Sequence, residues 1–236
     1  MAEFFAACTR AGQTPAMYQS VLNDPERTRY NQYVKVRFHD DRKVAPLPAG
    51  QLGRAYIGAL RALLATVRQH HWRALTEAAR RAAQTLRDGG QVFVFAAGHY
   101  PPRHTGGQLP ADRSGFRRLQ VPRKGATTDF PVPGAADYGI ALGYSLPPGH
   151  AWWNGADERL RLAGRGVCWI ISSHRTRPGD LRANEVLLDQ CWADGDAAVA
   201  VDGYDVGICP PSGVMAEALL WMLTAEAWAG AGGLTL

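Results

Sequence analysis

The sequence predicts an α/β fold built on a parallel sheet of about five strands, and three observations lead there. Short continuous apolar runs recur at residues 91–97, 137–142 and 166–172, as strands buried on both faces require. Segments with apolar residues every three or four positions alternate with them, and that alternation favours parallel pairing. The runs end in Gly and Ser, the residues that turn a chain out of a buried strand.

Taken in order, residues 4–11 read as a short helix. The alternating Tyr33, Val34, Lys35, Val36, Arg37 and Phe38 read as a strand. Pro46, Pro48 and Gly50 break the chain. Tyr18, Tyr30, Tyr33 and Phe38 make residues 1–50 too aromatic for a loose tail. This segment is expected to be an extension packed on the domain or on a partner, with the domain proper at 51–236. Residues 52–88 carry one helical stripe, Tyr56, Ile57, Leu60, Leu63, Leu64 and Val67, continued by Trp72, Leu75, Ala79, Ala82, Ala83 and Leu86. They predict two helices, or one bent helix, stopped at Gly89-Gly90.

The first strand follows at 91–97. Residues 101–135 are rich in proline and arginine and hold one weak strand at 116–121. A strand at 137–142, a helix at 156–163 stopped by Gly164, and strands at 166–172 and 185–189 come next. The last helix, 213–229, is apolar on nearly every side and is expected to be buried.

Composition narrows the function classes. Apolar residues are 46% and charged residues 20%, ordinary globular values. No run reaches the roughly 18 apolar residues of a membrane span, and the greasiest segment, 214–231, carries Glu217 and Glu226. The N-terminus lacks the basic start of a signal peptide. Cys8, Cys168, Cys191 and Cys209 are scattered without zinc-type spacing, so a cytoplasmic protein with reduced thiols and no metal site is expected. Asp189, Asp194 and Asp196 lack EF-hand spacing and read as a solvated loop. His70 and His71 point to different helix faces and do not read as a chelating pair.

In open α/β sheets ligands bind beyond the carboxyl ends of the strands. The residues there are Gly98-His99-Tyr100, Gly143-Tyr144-Ser145, Ser172-Ser173-His174 and Asp189-Gln190-Cys191. Gly98 and Gly143 let backbone approach a ligand. Ser145, Ser172, Ser173 and His174 offer hydrogen bonds to an anion. His99 is the candidate general acid/base, because imidazole titrates near neutrality. Ser212 precedes the last helix and is a candidate either for ligand binding or for plain capping. Ordinary turn chemistry accounts for any one of these ends taken alone.

The net charge is 26 − 21 = +5. Arg103, Arg113, Arg117, Arg118, Arg123 and Lys124, with His104 among them, hold six positive charges against Asp112 alone. The excess is therefore local. It fits an anionic ligand or a subunit contact better than nucleic acid, which stays a third possibility.

Residues 60–229 resemble the SIS (sugar isomerase) domain, and in particular phosphoheptose-isomerase-like members. A long helix leads into Gly89-Gly90-Gln91-Val92-Phe93-Val94-Phe95-Ala96-Ala97-Gly98-His99, like the family's first strand and its glycine-rich end. Ile140-Ala141-Leu142-Gly143-Tyr144-Ser145-Leu146 stands in the place of the Ser-x-Ser-Gly phosphate loop. Residues 167–173, the Asp-ended strand 183–189 and Cys209-Pro210-Pro211-Ser212-Gly213 resemble the later segments. Three departures stand out: Tyr100 replaces a sugar-contacting Ser, Gly143 replaces the first loop Ser, and Leu146 replaces the loop Gly.

The resemblance implies a three-layer flavodoxin-like fold and a homo-oligomer with sites at the subunit boundary. It also implies sugar-phosphate binding, with aldose–ketose isomerisation that needs no cofactor. Ser145 would then hold phosphate, Tyr100 and Tyr144 would face the ligand, and Glu217 would join His99 as a proton-transfer candidate. The altered loops favour a second reading, a non-catalytic sensor or structural protein derived from this fold.

Overall fold

The computed structural model describes residues 1–17, 19, 23–97, 115–121, 131–177 and 179–232. Their elements are α1 (Ala2–Arg10), α2 (Thr28–Tyr33), α3 (Gln51–Thr66), α4 (Trp72–Arg87), β1 (Val92–Ala96), β2 (Phe116–Arg118), β3 (Tyr138–Leu142), α5 (Ala156–Leu160), β4 (Val167–Ile171), β5 (Val186–Asp189) and α6 (Ser212–Gly230). A π-helical turn, Val67–His71, joins α3 to α4. Two short 3-10 turns, Ala151–Trp153 and Ser173–Arg175, flank β4.

By packing, the chain divides into two units, Met1–Leu64 with Trp192–Pro211, and Ala65–Cys191 with Ser212–Leu236. The sequence reading ends the extension at residue 50. The first unit instead runs on to Leu64 and recruits a later segment. Its core explains why: Phe5 and Ala6 of α1 pack with Val44 and Leu52, and with Val199, Val201, Ile208 and Cys209. Glu3 ties α1 to the start of α3 by accepting hydrogen bonds from the backbone N–H groups of Gly50 (2.6 Å) and Gly53 (2.8 Å).

The strand expected at residues 33–38 is not formed. The chain is helical up to Tyr33, because the Asp24 carboxylate accepts from the N–H groups of Thr28, Arg29 and Tyr30 and so starts α2. Val34 and Val36 are exposed, and only Phe38 makes an isolated bridge, to Pro15. The alternation has no partner strand to bury it.

In the second unit five strands form one sheet in the order β2-β1-β3-β4-β5, every pair parallel. This is the order of flavodoxin-like doubly wound sheets. Parallel neighbours need crossovers. Of the α-helices among the described residues only α5 lies within one, between β3 and β4, whereas α4 precedes β1 and α6 follows β5. α4 and α6 pack together and contact one face through Leu75, Ala79, Ala82, Met215, Leu219 and Leu223. On the other, Phe93, Ala141, Trp169 and Ile171 pack with Trp153, Ala156 and Leu160.

Gly89, at φ +76°, ends α4 as expected, since a left-handed residue turns the chain toward β1. α5 ends at Leu160, three residues before the expected stop. α6 is not buried all round. Val214 is 47% and Trp221 49% exposed, because only the side toward α4 and the sheet is covered. No helix among the described residues is long and apolar enough to cross a membrane, and all four cysteines are free thiols.

A buried ion pair ties the β4–β5 edge to the segment after α5. Arg161 Nε donates to Glu185 Oε1 at 2.7 Å, and Nη2 donates to Glu185 Oε2 at 2.9 Å and to the Asp180 carbonyl at 2.8 Å. The guanidinium also lies 5.5 Å from the centroid of the Trp169 ring. The Glu185 side chain is 1% exposed, and without Arg161 it keeps the Arg182 N–H (2.9 Å) as donor but no cationic partner. Arg161→Met is expected to lower unfolding free energy by about 3–5 kcal/mol in urea titration. The double variant with Glu185→Leu is expected to recover most of that loss.

Candidate functional site

β1 leads out to β2 at one sheet edge, and the chain returns to β3 on the other side of β1. Connections therefore leave in opposite directions above the carboxyl ends of β1 and β3. Doubly wound sheets bind ligands at such a switch point. A solvent-open cleft of about 260 Å³ lies there, lined by Ala96, Ala97, Leu142, Gly143, Tyr144, Ser212, Gly213 and Ala216.

Three structural features make this cleft. Small side chains at Ala96, Ala97, Gly143, Gly213 and Ala216 leave space that larger ones would fill. The first turn of the 19-residue α6 forms one wall, and a helix N-terminus carries partial positive charge and outward N–H groups. The rim is held from beneath: fully buried Gln190 donates through Nε2 to the carbonyls of Gly143 and Ile170, both at 2.8 Å. This amide joins the loop after β5 to the ends of β3 and β4.

Gly143 has a packing reason to be glycine. A Cβ there would stand 2.7 Å from the Trp153 ring and 3.3 Å from Ile171. The close approach inferred from the sequence is thus made by Trp153, from the side opposite the cleft. Ser145 is 1% exposed and is not part of the cleft lining. Tyr144 and Ser212 do line it. Ser172, Ser173 and His174 stand at the end of β4, but engage protein partners. Ser172 Oγ lies 3.0 Å from His174 Nδ1, and Ser173 donates to Asp189 through both its N–H and its Oγ. Gly98, His99 and Tyr100 lie outside the described residues, as do Arg103, His104, Arg113, Arg123 and Lys124. Arg117 and Arg118 are exposed on β2.

Glu217 lies one residue past the cleft wall at Ala216 and is not part of the lining. It is half-buried, and burial alone holds its carboxyl above the usual range. Sequence reasoning placed Gln190 beyond β5 but gave it no role, because nothing local marks a buried amide that serves two other strands. It also missed Ala96, Ala97 and Ala216, whose small size matters only once the strands and α6 meet.

A second group of polar side chains stands at the carboxyl end of β5. His71, Asp189 and Cys191 bring one donor atom each to within 4.8 Å of one another. Burial, and secondarily the Asp189 charge, push the Cys191 thiol up to about 12. The free thiol is therefore not an activated nucleophile at neutral pH.

Neither a family model nor a curated protein matches the chain.

Gly143→Ala is expected to cost about 1–3 kcal/mol in chemical denaturation, because Trp153 must move to admit a methyl group. Glu217 gives a pH signature. Its raised pKa means the folded chain binds the proton more tightly than the unfolded chain. The group thus favours folding most on the acid side, and stability falls as pH rises through the folded-state value. Glu217→Gln is expected to raise Tm at neutral pH. That gain should vanish below the ordinary carboxylate pKa of about 4.3.

Proposed function

We propose that this chain is a SIS-like sugar-phosphate-binding protein whose phosphate site is the cleft above β1 and β3. The observation that carries the reading is the meeting of three things in one place: the switch point of a 2-1-3-4-5 parallel sheet, a lining of small residues, and the first turn of α6. The phosphate would face the backbone of Ser212 and Gly213 on one side and of Gly143 and Tyr144 on the other. The cleft is small and open to solvent, so a phosphate group would sit in it with the sugar extending outward.

Isomerisation is the catalytic extension of this reading. Among the described residues, the cleft lining has no carboxylate or imidazole. That favours the non-catalytic alternative, a sensor, unless His99 supplies the proton transfer.

A thermal-shift series with aldose phosphates, ketose phosphates and inorganic phosphate tests the binding. Ligand at 100 times Kd stabilises the folded state by about 2.7 kcal/mol, a readily measured Tm rise. Ala216→Leu fills the cleft and is expected to abolish the rise. No rise with any phosphate, or an equal rise in the variant, contradicts the reading. For a sugar that binds, exchange of its C2 proton with solvent deuterium marks an isomerase, and absence of exchange marks a sensor.

A further inference from the structure

The group at the end of β5 is independent of the cleft and of the function proposed for it. We propose that His71, Asp189 and Cys191 form a binding site for one divalent transition-metal ion of the Zn²⁺ type, leaving a fourth coordination position to water or an exogenous ligand.

The donors come from two elements far apart in sequence. Asp189 closes β5, and Cys191 follows two residues later in a left-handed conformation, φ +63°. His71 closes the π-helical turn between α3 and α4 and has itself left helical geometry, at φ −119° and ψ 6°. A π turn is a rare departure from the α repeat that re-aims the side chains around it, and such turns recur at functional sites. Here the re-aimed residue is the one that reaches Asp189 and Cys191. The neighbouring His70 is exposed and takes no part.

The spacing suits a small cation. Bonds of 2.0–2.3 Å in a tetrahedron place donors about 3.3–3.7 Å apart. The three atoms here lie within 4.8 Å of one another, so a contraction of at most about 1.5 Å closes the set. Side-chain rotation supplies that much. The His71 ring has no hydrogen-bond or ion-pair partner among the described residues, which leaves a ring nitrogen available.

Asp189 is already oriented as a ligand carboxylate needs to be. Its Oδ1 accepts from the N–H groups of Ser173 (3.2 Å) and Cys191 (2.7 Å), and its Oδ2 accepts from Ser173 Oγ. Outer hydrogen bonds of this kind fix metal-binding carboxylates, and Oδ2 keeps a lone pair for the ion.

Donor chemistry selects the metal. One imidazole nitrogen, one carboxylate oxygen and one sulfur suit Zn²⁺ and its neighbours, whereas Mg²⁺ and Ca²⁺ take oxygen throughout. Three protein ligands with an open fourth position is the arrangement of zinc sites that bind water or substrate. As the metal–sulfur bond forms, the Cys191 thiol releases its proton to solvent.

The test is titration of the metal-free full chain with Zn²⁺ by calorimetry and with Co²⁺ by absorption. One Zn²⁺ per chain is expected, with Co²⁺ giving a thiolate-to-metal charge-transfer band. His71→Gln and Cys191→Ser should each weaken Zn²⁺ binding by about tenfold or more, and Cys191→Ser should abolish the band. His70→Gln should change neither. Cys191 is the one cysteine of the four that is not buried. Zn²⁺ should therefore slow its alkylation by iodoacetamide in the wild-type chain, a readout that needs no variant to fold. Absence of binding, undiminished binding in both variants, a Co²⁺ complex without the thiolate band, or unchanged alkylation overturns the proposal.

Discussion

Parallel strands cannot be joined by tight hairpins, and everything at the carboxyl end of this sheet depends on that constraint. After each strand the chain must cross back to the starting end of the sheet before the next strand can pair, and α5 lies in such a crossing between β3 and β4. Because β2 lies outside β1 and β3 lies inside it, two connections part company above the middle of the sheet. Such a switch point leaves a crevice beyond the carboxyl ends of the strands. The cleft forms in that gap, and α6 adds its N-terminus to the wall.

The gap keeps its shape through interactions beneath it. Gln190 bonds the carbonyls at the ends of β3 and β4, and Trp153 fills the space that a side chain at 143 would otherwise take. At the opposite end of the strands, Asp137 accepts from the N–H groups of Gln91 and Gly134, both at 2.7 Å, and fixes where β1 and β3 begin. Arg161 and Glu185 secure the outer edge of the sheet. Both features at the carboxyl ends, the cleft and the His71–Asp189–Cys191 cluster, thus stand on strands joined by these hydrogen bonds.

Much of this frame was legible in the sequence. Val92–Ala96, Tyr138–Leu142 and Val167–Ile171 are short apolar runs of the length and of the β-branched and aromatic content of buried strands, and the glycines at 89 and 90 end α4 where the helical stripe stops. Of the positions after the strands, Gly143 and Tyr144 line the cleft. The side chains there were harder to interpret. Gly143 read as room for a ligand; it lines the cleft, and Trp153 packs where a side chain at 143 would stand. Ser172 and Ser173 read as anion donors, yet they bond His174 and Asp189. The pairing of residues 1–64 with 192–211 was invisible because it rests on contacts between distant apolar residues such as Phe5 and Ile208. His71 offered no local hint either. Only a π turn and the end of β5, brought together by tertiary packing, make it a neighbour of Cys191.

Backbone amide resonances report most directly on whether the switch point is an anion site. A ¹H–¹⁵N spectrum titrated with a sugar phosphate should show its largest shifts at Ser212, Gly213 and Val214 of α6, and at Gly143 and Tyr144 beyond β3. Shifts confined to Arg117, Arg118 and other surface arginines, or no shifts at all, would contradict it.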